Sequence, residues 1–138
     1  MGLISWWQNR RAKELKITHD ELSAEFFETH ETLKKQFYEL KEIISKRLDR
    51  KIVFAKRNHF YETYQKFSKV LDALISLDRR WQDIDSKMGF LFGRGILYLL
   101  KYENNFNYDK ALNTLNMMEK ALDAIESPLS DLRLSSAA

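Results

Sequence analysis

No cysteine occurs in this chain, so a disulfide framework, a thiolate metal site and a cysteine nucleophile are all excluded. Proline occurs once and glycine four times in 138 residues. Such sparse punctuation, with 44% hydrophobic residues, favours a few long helices over any sheet architecture. Histidine is also scarce. His19, His30 and His59 fall on separate turns and lack the H-E-x-x-H or E-x-x-H spacing that a zinc or di-iron site on helices needs. The glycines Gly89, Gly93 and Gly95 lack the G-K-[ST] ending of a phosphate loop, and no strand pattern precedes them. There is no G-x-S-x-G elbow, and no nucleophile, base and stabiliser occur in a catalytic pattern. The expectation is a protein that is not an enzyme and carries no cofactor or metal.

Long apolar runs are missing too. The longest, Phe90 to Leu100, contains Arg94 and two glycines, and it falls short of the roughly 20 residues a membrane-spanning helix requires. Leu3 to Trp7 is too short for the apolar region of a secretory signal. A cytoplasmic chain, soluble or peripheral at a membrane, is expected. Its net charge of +3 gives a mild bias toward acidic partners.

What is present is helical periodicity. Leu22, Phe26, Leu33, Phe37, Leu40, Ile44, Leu48 and Ile52 recur at steps that make one apolar stripe. Thr18 and Glu21 form a capping box, flanked by Ile17 and Leu22 at staple positions. Acids (Asp20, Glu21, Glu25, Glu28, Glu31) crowd the start of this stretch, and bases (Lys46, Arg47, Arg50, Lys51, Lys56, Arg57) crowd its end, as a helix dipole favours. The pattern predicts a single helix from Thr18 to about Arg57, with a turn near Asn58 or, as the alternative, a helix that runs straight through it. Losing the Thr18 cap would cost about 1 kcal/mol. Phe60, Tyr64, Phe67, Leu71, Leu74 and Trp81 form a second stripe, interrupted at Asp78 and widened by Val70, Ile75, Leu77, Ile84 and Met88, of the kind that packs at coiled-coil angles. The three glycines mark a helix boundary or a close helix contact. A short helix is expected over Ile96–Glu103 and a last one over Tyr108–Glu126, with Asn107 as N-cap and Pro128 as its end. The fold class is therefore all-α: an elongated antiparallel bundle of long helices with a C-terminal helical hairpin. Its expected divisions are an N-terminal amphipathic attachment segment (1–17), a bundle domain (18–126) and a flexible tail (127–138).

Two local resemblances accompany this pattern. Trp6-Trp7-Gln8-Asn9-Arg10-Arg11-Ala12-Lys13 resembles the DNA-reading helix of homeodomains, W-F-Q-N-R-R-x-K, over eight residues. In that family Asn9 would contact an adenine and the arginines phosphates. The family's reading helix rests on two preceding helices, whereas five residues precede Trp6, so the likeness is confined to this run. Tyr102, Tyr108, Ala111 and Leu115 resemble part of one tetratricopeptide unit, which implies a helical hairpin there.

Two stretches are candidate binding sites. Leu3, Ile4, Trp6 and Trp7, followed by Arg10 and Arg11, join an apolar wedge to a cationic collar, as an interfacial anchor or a protein-docking helix does; the alternative is that the tryptophans pack on the chain's own bundle. Lys46, Arg47, Arg50, Lys51, Lys56 and Arg57 form a basic belt able to meet phosphates or an acidic partner. The favoured function is that of a non-catalytic helical adaptor or accessory subunit. It would bind a protein partner or a second copy of itself, with an anionic membrane surface as a further option. Nucleic-acid binding through the belt is the alternative.

Overall fold

The computed structural model describes residues 2–101 and 105–137, with the side chains of 2–9, 12 and 135–137 left outside that description. Among the described residues the chain is entirely helical: α1 (Gly2–Ser45), α2 (Arg50–Leu77), a 3-10 turn (Arg79–Trp81), α3 (Gln82–Lys101) and α4 (Tyr108–Ala137). α1 and α2 form one antiparallel hairpin, α3 and α4 a second. α4 also returns along α1 in the opposite direction, as three ion pairs trace: Arg47–Asp109 at 2.7 Å, Lys41–Glu119 at 3.1 Å and Lys34–Glu126 at 3.2 Å.

The stripes seen in the sequence form the core. Phe26, Leu33, Phe37, Leu40 and Ile44 of α1 meet Phe60, Phe67, Leu71 and Leu74 of α2, and Ile84, Met88 and Phe92 of α3 close over them. Apolar burial on this scale is the main force holding the bundle, at about 25 cal/mol per Å² removed from water.

The helix boundaries differ from the expected ones, each for a physical reason. α1 does not begin at Thr18. It runs through it, and the Thr18 hydroxyl, instead of capping, donates to the carbonyl of Glu14 one turn back at 3.0 Å. Nor does one helix reach Arg57 and turn at Asn58. The chain turns at Lys46–Asp49, where Arg47 takes a left-handed φ of 53°. Leu48 N–H donates to the Ile43 carbonyl and Arg47 N–H to the Ile44 carbonyl, the paired closure that satisfies a helix end. Asp49 then caps α2, its carboxylate accepting from Lys51 N–H at 2.8 Å. Leu48 and Ile52, which the uninterrupted stripe placed in the core, are exposed, and Val53 and Arg57 turn inward instead.

Asp78 likewise ends α2. Its backbone is extended, and its carboxylate accepts from Arg80 N–H, opening the 3-10 turn that carries Trp81 inward. α3 passes unbroken through all three glycines, and the expected short helix over 96–103 is its last third, within the residues described. Of the two readings of the glycines, close packing holds at Gly95, where an added Cβ would lie 2.5 Å from Met118 Cγ and Sδ. Asn107 caps α4 through Lys110 N–H at 3.0 Å, as expected. Pro128 does not end α4. The helix continues to Ala137, and the segment expected to be a flexible tail is docked, with Leu129 and Leu132 buried and the Arg133 guanidinium over the Phe27 ring at 4.4 Å. Burial of these two leucines offsets the backbone hydrogen bond that proline removes.

Gly89 and Gly95 should therefore respond oppositely to alanine. Gly89→Ala, whose Cβ meets nothing nearer than Asp85 Oδ1 at 3.9 Å, should stabilise by up to about 1 kcal/mol. Gly95→Ala should destabilise by about 1–3 kcal/mol through overpacking against buried Met118. Urea midpoints measure both, and equal shifts would refute the α3–α4 contact.

Candidate functional site

The most prominent surface feature is the N-terminal part of α1. α2 has 28 residues and α1 has 44. Paired antiparallel from the turn at 46–49, α2 covers α1 only back to about residue 18. α4 does not extend the cover, since its Arg133 already lies against Phe27. Gly2–Ile17 is thus a helical arm projecting roughly 24 Å past the bundle. Every side chain described between Arg10 and Thr18 is exposed, including Leu15 at 46% and Ile17 at 58%. Arg10 pairs with Glu14 at 3.4 Å, and Arg11 is exposed. The side chains of Leu3, Ile4, Trp6 and Trp7 lie outside the described residues, so only their helical backbone is placed.

The basic belt is broken up by the turn. Lys46 pairs with Glu42 at 2.8 Å, Arg47 with Asp109, and Lys56 with Glu39 at 3.8 Å. Arg50 and Lys51 are exposed in the first turn of α2, the end of a helix dipole that disfavours cations, so dipole complementation does not explain them. Arg57 leaves the surface altogether. It is 4% exposed, donates to the Leu99 carbonyl at 3.2 Å and the Asn58 side chain at 3.1 Å, and stacks over Phe54 at 4.7 Å. It ties α2 to the end of α3 and cannot reach a ligand. Phe60 is a core residue, and Phe54 packs edge-on against Phe106, so neither is free to stack on a base.

A surface that periodicity did not single out is the outer side of α3. Phe90 (69% exposed) and Leu97 (65%) lie one heptad apart on the side opposite the core, and the Arg94 guanidinium covers Phe90 at 5.1 Å. The available signal was the unusual apolarity of α3 on both faces.

Apart from Arg57, the buried polar residues sit on α1. His19 Nε2 accepts the Trp81 indole N–H at 3.0 Å, with Asp78 Oδ2 at 3.6 Å. His30 is buried against Phe26 and Phe67, and its Nε2 has no hydrogen-bond partner, the nearest acid being Glu126 at 3.9 Å. Burial lowers the His30 pKa, and Lys34 adds to the effect against the pull of Glu126 and Glu31. Among the described residues no group of three or more His, Asp or Glu side chains is placed to hold a metal. No described helix is long and apolar enough to cross a membrane. The cleft between α1 and α2 is lined by Glu28, Thr29, Thr32, Glu62, Thr63 and Lys66, and its three threonine hydroxyls donate to the carbonyls of Glu25, Glu28 and His59 one turn back. No protein family, curated protein or solved structure matches the chain.

His30 sets a pH dependence. The unfolded chain protonates it near 6.5 and the folded chain only at lower pH, so between the two values the unfolded state holds more protons. Its contribution is complete above 6.5 and is lost as pH falls through the folded value. Urea midpoints of the wild type should drop more steeply between about pH 7 and about pH 5 than those of His30→Leu. Parallel profiles would mean that His30 is already accessible to protons in the folded state.

Proposed function

We propose that this protein is a non-catalytic helical binding protein, an adaptor or accessory subunit, that attaches through its N-terminal arm. The observation that carries the reading is that α1 outruns its hairpin partner by some four turns while exposing Leu15 and Ile17. The described side chains from Arg10 to Ile17 are exposed, and an unpacked helical stretch is only marginally stable in water, so packing on another surface would stabilise it. Several features support a binding role over chemistry: the polar groups buried in the bundle are few, and the cysteine and metal-ligand patterns of catalytic sites are missing from the sequence and from the described residues. The exposed Phe90–Leu97 side of α3 gives a second contact face. Nucleic-acid binding is retained as a second reading on one observation, the placement of Arg50 and Lys51 at the wrong end of a helix dipole.

Removing residues 2–16 tests the main reading. The truncated chain should melt within a few degrees of the full chain while losing capture by an immobilised protein partner or by anionic vesicles. A drop of many degrees would make the arm part of the folded core and end the proposal. Filter binding of single- and double-stranded oligonucleotides at two salt concentrations tests the second reading. Affinity that falls steeply with salt, and that Arg50→Ala with Lys51→Ala removes, would establish it; no binding at low salt would eliminate it.

A further inference from the structure

The arm carries a charge pattern that identifies its occupant. Between Arg10 and Lys16 there are four basic residues and one acid; between Thr18 and Leu33 there are five acids and no Lys or Arg. The two tracts follow one another along the same continuous helix. One row, directly opposite the buried Phe26, Leu33 and Phe37, runs Arg10, Lys13, Ile17, Glu21, Glu28 and Glu31, at helical steps of three, four and seven. All six are exposed. The row is therefore basic at one end, apolar in the middle and acidic at the other.

A helix face patterned in this way is complementary to itself when reversed. We infer that the arm packs antiparallel on α1 of a second copy of this chain, the basic tract of each lying along the acidic tract of the other. With the two-fold axis near residue 19, Arg10 lies opposite Glu28 of the second copy, Lys13 opposite the gap between its exposed Glu21 and Glu28, and Ile17 beside its Glu21. The overlap covers about 28 Å of helix in each copy. Contact i to j and j to i is what a two-fold interface requires. Ile17 supplies the apolar contact at the centre of the row, and the charges set direction and register, as flanking charges do in paired helices. An anionic bilayer fits the same row poorly, because the acidic tract that continues the arm would be held against like charge. Lys13 has no ion-pair partner among the described residues, whereas Arg10 pairs with Glu14 at 3.4 Å, so its contact with the second copy competes with that pair.

This inference rests on the arm being an attachment device, and the test separates the two. Sedimentation of the full chain at low salt should give twice the 16.5 kDa chain mass, weakening at high salt as exposed charges are screened. Two charge-reversed variants follow: Arg10→Glu with Lys13→Glu, and Glu21→Lys with Glu28→Lys. All four positions are exposed, and circular dichroism checks that both variants stay helical. Each alone should sediment as a single chain, because like charges then face each other in both halves of the interface. An equimolar mixture should recover the double mass, because both halves are again opposite in sign. A wild-type chain of single mass at low salt, or variants that remain double alone, would overturn the inference. If the wild type is single while deletion of 2–16 still abolishes vesicle or partner capture at unchanged stability, attachment stands and self-pairing falls. A truncated chain that melts many degrees lower removes both.

Discussion

Trp81 is the contact on which the arrangement of the two hairpins depends. It is fully buried, and it stands in the 3-10 turn between α2 and α3 rather than within a long helix. Its ring meets Phe26 edge-on at 5.1 Å and Phe27 at 5.9 Å, and its indole N–H is held by His19, so a residue of the connection is fixed to three residues of α1. An indole buries a large apolar surface but needs an acceptor for its one donor, and His19 provides it at the edge of the core. With Trp81 seated, α3 has its start and direction set, and α4 follows along α1.

Much of this order was readable in the sequence because apolar spacing on helices is a strong signal. The stripes Phe26–Ile44 and Phe60–Leu74 became the inner faces of α1 and α2 almost residue for residue. The breaks were hard to read because neither uses glycine or proline. Both are made by aspartates, Asp49 and Asp78, whose carboxylates accept the amide two residues on. In a sequence this rich in charge, an aspartate that caps a helix cannot be told from one on a solvated face. The charge gradient from Asp20 to Arg57 reinforced the wrong continuation, since it is what a single helix dipole would favour. Thr18 misled in the reverse sense: a capping box is a local pattern, and α1 continues through it.

The candidate surfaces were legible in part. Arg10 and Arg11 stand exposed on the first part of α1. Arg57 looked like part of a basic belt and is instead a buried strut, because only after the turn at 46–49 does its row face α3. Nothing in the linear order separates it from Lys56, its exposed neighbour. Phe90 and Leu97 were hidden for the opposite reason. In an apolar stretch every hydrophobic residue looks like core, and only the position of α4 decides which side of α3 is left open.

The left-handed residue at the first turn has a consequence for how the two hairpins are joined. A side chain at φ 53° costs roughly 1–2 kcal/mol relative to the right-handed region, and Arg47 occupies that conformation where glycine or asparagine is usual. What an arginine offers there is reach. Its guanidinium binds Asp109 and lies 5.9 Å from the Tyr108 ring, while the Tyr108 hydroxyl donates to the Leu48 carbonyl at 2.7 Å. The bend of the first hairpin, closed locally by its own backbone hydrogen bonds, is thus also held by the opening turn of the last helix, some sixty residues further on. Neither hairpin is indifferent to the other. These contacts tie the turn of the first hairpin to the start of α4 at one end of the bundle.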